Sequence, residues 1–141
     1  PRSRNRLVAS GFKLDSRVQV QQPLGFHDYN WLQMNAFAVV SDSGTLPEES
    51  SFYASIGKPI SAVCIRTSTE RPEAIDKACF ILSGIDTKGL LQSVDLAVQM
   101  TKDGNHGIPV PSYTDDVSNK VVKIIQSYVG VVNKMVWRKE I

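Results

Sequence analysis

The run Ala36-Phe37-Ala38-Val39-Val40 leads straight into Ser41-Asp42-Ser43-Gly44-Thr45-Leu46-Pro47-Glu48-Glu49, and this junction constrains the fold more than any other stretch. A short, continuously apolar run suits a parallel strand buried on both faces. A helix start follows it. Pro47 fits a first helical turn, and Glu48 and Glu49 fit the positive end of a helix dipole. Strand, tight turn and helix together open a βαβ unit, so an α/β domain is expected. Ser43 and Gly44 then sit where N–H groups at a helix start point at an anion, with Gly44 leaving room for its close approach.

The same alternation recurs along the chain. Four strand candidates, residues 17–22, 36–42, 61–66 and 79–83, are each followed by a helix candidate, which predicts a parallel, Rossmann-like sheet with flanking helices. The first alternates Val18 and Val20 with Arg17, Gln19 and Gln21, as an edge or half-exposed strand does; the next two are more apolar and are expected to be central. Asp28 is a candidate N-cap for a helix over 29–35, and Gly57 closes the helix that carries Glu49. From Asp86 a longer helix aligns Leu90, Leu91, Val94, Ala97 and Val98 on one face. Residues 102–114, with Gly104, Gly107, Pro109 and Pro111, read as a surface loop. Asp115 or Asp116 starts a last helix striped by Val117, Val121, Ile124, Ile125 and Tyr128, which Gly130 is placed to kink or divide. The apolar segment 131–137 should cover something.

Composition removes several classes of function. A chain of 141 residues holds one domain, and its 42% hydrophobic and 21% charged residues are those of an ordinary soluble protein. No apolar run reaches the length of a membrane span, and the basic start lacks the apolar core of a signal peptide. A net charge of +2, with basic residues scattered among acids, argues against nucleic acid; Arg2, Arg4 and Arg6 read as a solvated helix start or frayed end. Cys64 and Cys79 fall in apolar runs and read as core residues. They lack metal-site spacing, and His27 and His106, both in polar turns, read as solvated, so no metal is expected.

Three further residue sets bear on chemistry. On a helix over 46–56, Leu46, Phe52, Tyr53 and Ile56 share one face with Glu49 near its middle, so the Glu49 carboxylate should be partly buried and in need of donors. Either an arginine in a structural ion pair or a ribose diol beside a phosphate site meets that need. In an open parallel sheet ligands bind outside the carboxyl ends of the strands, which brings the loop Thr67-Ser68-Thr69-Glu70-Arg71-Pro72-Glu73 to the same edge. Arg71 or Arg66 can pair a diphosphate through forked hydrogen bonds, unless one only neutralises Glu49 or Glu70. Tyr29, between the first strand candidate and a helix, either stacks on a base or packs as a core residue.

Taken together, Pro23-Leu24-Gly25-Phe26-His27-Asp28-Tyr29, the Asp-Ser-Gly turn with Glu48-Glu49, and Arg66 through Glu73 resemble the non-hydrolysing UDP-N-acetylglucosamine 2-epimerases. Residues 120–139 are similar to the branch that forms UDP-N-acetyl-L-fucosamine for bacterial capsules and O-antigens. The resemblance implies an isomerase of two Rossmann-like domains in a GT-B-like architecture, cytoplasmic, needing no cofactor, and acting on a UDP-N-acetylhexosamine by eliminating and re-adding UDP. It places the uracil on Tyr29, the diphosphate on Ser43, Gly44 and Arg71, and the ribose hydroxyls on Glu49, while Glu48 and Arg66 receive no role. Residues 1–141 then correspond to part of the second, UDP-binding domain. The catalytic groups are expected on a missing N-terminal region, so the chain alone should be inactive. The helix over about 115–139 is expected to pack on that missing domain, and a homodimer is among the expected assemblies. The C-terminal half of a GT-B glycosyltransferase and a non-catalytic nucleotide-sugar binding module are the rival readings. Thr45 stands where most of the family has glycine, and the stretch from Glu49 to Gly57 is longer than usual.

Overall fold

The computed structural model describes residues 2–114 and 116–139. Its centre is a three-stranded parallel sheet, β1 (Val39–Ser41), β2 (Ala62–Cys64) and β3 (Ile81–Leu82), in the order β1-β2-β3. Val39, Val40 and Ser41 register with Ala62, Val63 and Cys64; Val63 and Cys64 then register with Ile81 and Leu82. Every residue of β2 is buried, as a central parallel strand requires. The 36–42 run, by contrast, supplies an edge strand with Val40 exposed.

Helices make the crossovers. After α1 (Arg2–Ser10) and α2 (Phe26–Asn35), α3 (Leu46–Ser55) joins β1 to β2 and α4 (Pro72–Asp76) joins β2 to β3. Helix α5 (Thr87–Lys102) follows β3 and packs against β2 and β3. Its start is the expected one, with Asp86 Oδ2 accepting the Gly89 N–H at 2.6 Å. The core joins Leu46 and Tyr53 of α3 to Ile60, Ala62, Cys64, Ala74, Cys79, Phe80 and Val110. Both cysteines are free and buried, and burial pushes their thiols upward in pKa.

Several expectations fail for local physical reasons. Residues 17–22 form no strand, because the Asp15 carboxylate takes both the backbone and the guanidinium of Arg17 and the Val18 N–H closes a turn onto the Asp15 carbonyl. The N-cap of α2 is Gly25, and Asp28 lies inside the first turn. On α3 and its C-cap, Phe52 and Ile56 are exposed, while Ser50 and Ser51 are buried. Those serines are satisfied: Ser50 Oγ donates to the Cys79 carbonyl at 2.5 Å, and Ser51 Oγ accepts the Val110 N–H at 2.7 Å.

The segment 102–114 is anchored rather than a free loop. Val110 is in the core, residues 111–114 form a short helix α6 (Pro111–Thr114), and the Ile108 N–H bonds the Lys77 carbonyl at 2.8 Å. Gly107, at φ +88°, presses so closely on the turn after α4 that a Cβ would lie 2.4 Å from the Ala78 carbonyl oxygen. His106 is half-buried there, and its Nδ1 has no protein partner among the described residues. The last helix, α7 (Val117–Met135), is capped by Asp116 and runs through Gly130 without dividing; Asp115 lies outside the described residues. None of the residues of α7 is buried, and its apolar stripe is exposed.

Candidate functional site

Each strand delivers its following loop to one edge of the sheet, and there a cleft of about 640 Å³ opens. Asp42 and Gly44 come from the loop after β1, Ile65, Arg66, Thr67, Ser68 and Glu70 from the loop after β2, and Ile85 from beyond β3. This is the carboxyl edge where a parallel sheet places its ligands. The Gly44 N–H has no protein acceptor among the described residues, so the turn keeps a free donor at the start of α3. A Cβ at Gly44 would lie 3.3 Å from Glu70 Oε2 and 3.7 Å from Arg66 Nη1, which marks how closely the turn approaches that pair.

The two arginines are engaged by different carboxylates, and neither meets Glu49. Arg66 forks onto Glu70 through Nη2 at 2.9 Å and Nη1 at 3.1 Å. Those hydrogen bonds, then the guanidinium charge, hold the Glu70 carboxyl below the usual carboxylate range. Arg71 donates through Nε to Glu48 Oε1 at 2.6 Å and through Nη1 to the Glu70 carbonyl at 3.2 Å. Nη2 and the second N–H of Nη1 are the donors of Arg71 left for a ligand, so its end-on fork can meet a diphosphate while Nε stays on Glu48.

Glu49 has a different surrounding. It is half-buried as expected, yet among the described residues no ion pair reaches it, which removes the arginine reading. Its donors are neutral. Gln33 Nε2 lies 2.6 Å from Oε2, Thr45 Oγ1 lies 2.9 Å from Oε1, and the Tyr29 hydroxyl stands 3.5 Å from Oε2. Because the Thr45 proton goes to Glu49, the Ser43 hydroxyl donates in turn to Thr45 Oγ1 at 2.8 Å. A polar chain Ser43–Thr45–Glu49 thus runs from the turn into α3. Burial first, and the Glu49 charge second, push the Tyr29 and Tyr53 phenols up in pKa.

Tyr29, Ser43, Gly44 and Glu49 therefore gather around the start of α3, with Arg71 bound to the adjacent Glu48. Tyr29 is exposed enough to offer its ring, and with Val20, Gln21, Gln22, Pro23 and Leu24 it lines a second hollow of about 790 Å³. His27 is exposed, as expected, against the edge of Phe26. Gln33 and the Tyr53 hydroxyl were not singled out from the sequence. The available signal was spacing: Gln33 lies four residues after Tyr29 on one helix, and Thr45 four before Glu49 on the next. Among the described residues, no group of three or more His, Cys, Asp or Glu gathers to hold a metal ion.

The sequence model of the UDP-N-acetylglucosamine 2-epimerase family matches residues 1–126. A UDP-N-acetylglucosamine 2-epimerase of Methanococcus maripaludis is 30% identical over 118 residues, which are 76% of this chain and 31% of that protein. One from Escherichia coli K12 is 32% identical over 83 residues, 59% of this chain and 20% of the relative. The solved UDP-N-acetylglucosamine 2-epimerase of Rickettsia bellii superposes with a TM-score of 0.76 at 35% identity, covering 99% of this chain and 38% of that one. This chain thus spans about a third of the length of such proteins. A match that takes in the sheet, the turn at Ser43-Gly44 and both arginines places the chain in the UDP-N-acetylglucosamine 2-epimerase family.

Proposed function

We propose that this chain is the UDP-binding part of a UDP-N-acetylglucosamine 2-epimerase. The observation that carries the reading is Glu49: a half-buried carboxylate with neutral donors and, among the described residues, no ion pair, five residues after a Gly44 N–H that has no protein acceptor there. A cis-diol supplies two further hydroxyl donors to such a group, and the turn takes the adjoining phosphate. In this assignment the uracil lies on Tyr29, the ribose on Glu49, and the diphosphate on Ser43, Gly44 and Arg71.

In the reaction a base removes the C2 proton, the bond from C1 to the UDP oxygen breaks with its electrons passing to UDP, and a glycal remains. Re-addition of UDP and of a proton on the other face gives the epimer. Charge grows on the diphosphate as it leaves, so donors already fixed at the start of α3 favour that state. The acid and base at C2 belong to another domain, so this chain holds the leaving group and does not turn over substrate alone. Helix α7, with Val121, Ile124, Ile125 and Tyr128 exposed, packs on that domain. The likeness of residues 120–139 to the fucosamine-forming branch supports a UDP-N-acetylhexosamine substrate for capsule or O-antigen synthesis in the cytoplasm.

Calorimetry with UDP, UMP and 2′-deoxy-UDP tests the reading. UDP is expected to bind more tightly than UMP, and Glu49→Gln to weaken UDP about 10-fold or more, as for a lost hydrogen bond to a charged group, with 2′-deoxy-UDP much less affected. Equal losses for all three ligands with a lower melting temperature make Glu49 structural and refute the assignment. So does the absence of UDP binding by the folded chain.

A further inference from the structure

Beneath Glu49 lies a polar pair, buried between α2 and α3, to which the family resemblance gives no role. Gln33 is 4% exposed and Tyr53 2%. Both amide protons of Gln33 are used, one on Glu49 Oε2 at 2.6 Å and one on the Tyr29 hydroxyl at 3.0 Å. Its carbonyl oxygen accepts from the Tyr53 hydroxyl at 2.8 Å. That phenol also reaches Asn30 Oδ1 at 2.5 Å and shares its one proton between the two carbonyls. Asn30 is itself oriented by its Nδ2 donating to the Phe26 carbonyl at 2.6 Å. A flipped Gln33 amide would turn its N–H groups toward Tyr53 and its oxygen toward the Glu49 carboxylate, oxygen against oxygen. The acceptor-only Glu49 carboxylate therefore sets the orientation of the Gln33 amide, and the Tyr53 hydroxyl anchors that amide in place by donating to its oxygen.

The lone pairs of Glu49 then limit what else it can bind. A carboxylate has about four acceptor sites. Thr45 takes one on Oε1 and Gln33 one on Oε2; the 3.5 Å approach of Tyr29 is at the outer limit of a hydrogen bond and is the one a ligand displaces. One acceptor site then remains on each oxygen, a number that matches the two hydroxyls of a vicinal diol.

We propose that Gln33 and Tyr53 are positioning residues that fix the rotation of the Glu49 carboxylate for a cis-diol, and so set the preference of this site for ribonucleotides over deoxyribonucleotides. The inference rests on the ribose role of Glu49 given above. Neither residue touches the nucleotide; they act through Glu49.

Gln33→Met retains the length of the side chain and removes its amide, while Tyr53→Phe removes only a hydroxyl. Calorimetry on the full chain is expected to show UDP binding about 5- to 10-fold weaker in each variant and 2′-deoxy-UDP less than about 2-fold weaker, with folding checked by thermal melts. Equal loss for both nucleotides, or a ribose preference that survives both substitutions, overturns the positioning role and leaves the ribose reading of Glu49 standing. A wild-type chain that does not distinguish the two nucleotides overturns both. A ligand-free measurement tests the contact itself: the side-chain amide resonances of Gln33 should shift in Glu49→Gln and in Tyr53→Phe. Resonances that move in neither variant overturn the proposal.

Discussion

Replacing Gly107 by alanine tests how the segment after α5 is held, and the structure sets the size of the effect. At φ +88° an L-residue carries a conformational strain of about 1–2 kcal/mol. The new Cβ would also meet three backbone atoms, the Ala78 oxygen at 2.4 Å, the Ala78 carbon at 2.5 Å and the Lys77 oxygen at 2.6 Å. Backbone cannot rotate away as a side chain can, so overpacking adds about 1–3 kcal/mol. The total, about 2–5 kcal/mol, is a large share of the roughly 5–15 kcal/mol that stabilises an ordinary domain. At about 3–4 °C per kcal/mol for a chain of this size, the melting temperature should fall by about 6–20 °C. Gly104 is the internal control: its φ is +78°, yet nothing lies within 4 Å of its Cβ position, so Gly104→Ala should lose only the strain of about 1–2 kcal/mol. Urea unfolding followed by circular dichroism gives both values. Equal losses at the two positions, or a loss below about 1 kcal/mol for Gly107→Ala, refute the close packing of this segment on the α4 turn.

Two other outcomes follow from charge and exposure. Arg71→Ala should weaken UDP about 10- to 100-fold and leave uridine nearly unchanged, and Glu48→Gln should have the smaller effect because an amide oxygen still accepts from Arg71 Nε; calorimetry showing equal losses of UDP and uridine for Arg71→Ala would remove Arg71 from the diphosphate site. The exposed apolar residues of the tail 131–137, Val131, Met135, Val136 and Trp137, should make the isolated chain self-associate, with truncation after Gly130 reducing it, and sedimentation showing a monodisperse monomer at high concentration would count against a covered face.

The elements legible in the sequence are those whose periodicity and punctuation agree. The Asp86 cap falls where expected, as does the α3 start at Leu46-Pro47, and the α5 stripe holds for Leu90, Val94, Ala97 and Val98, while Leu91 turns outward and is exposed. Where pattern and local chemistry disagree, local chemistry wins. Residues 17–22 alternate like a strand, but the Asp15 side chain binds Arg17 and bends the chain before it can extend. Periodicity also misjudged which face of α3 is buried. Small Ser50 and Ser51 let the helix approach Cys79 and Val110, and their hydroxyls are satisfied by backbone groups 29 and 59 residues away, a pairing invisible to a local window.

The site divides along the same line. Ser43, Gly44, Glu49 and Arg71, which follow strand ends, are readable because backbone topology brings them to the carboxyl edge, whereas Tyr29 reaches Glu49 from the start of α2 although the strand expected before it does not form. Their partners are not readable in the same way, because several carboxylates and two arginines lie close together and sequence order does not say which pairs with which. The observed sorting, Arg66 with Glu70 and Arg71 with Glu48, leaves Glu49, like Asp42 in the turn itself, without an ion pair among the described residues. Thr45 shows how a departure from the family pattern enters that sorting. Glycine at this position would leave Oε1 of Glu49 with one donor fewer; the threonine hydroxyl supplies it and links the carboxylate to Ser43. Thr45 therefore helps hold the carboxylate next to the turn, without closing the Gly44 N–H to an incoming anion.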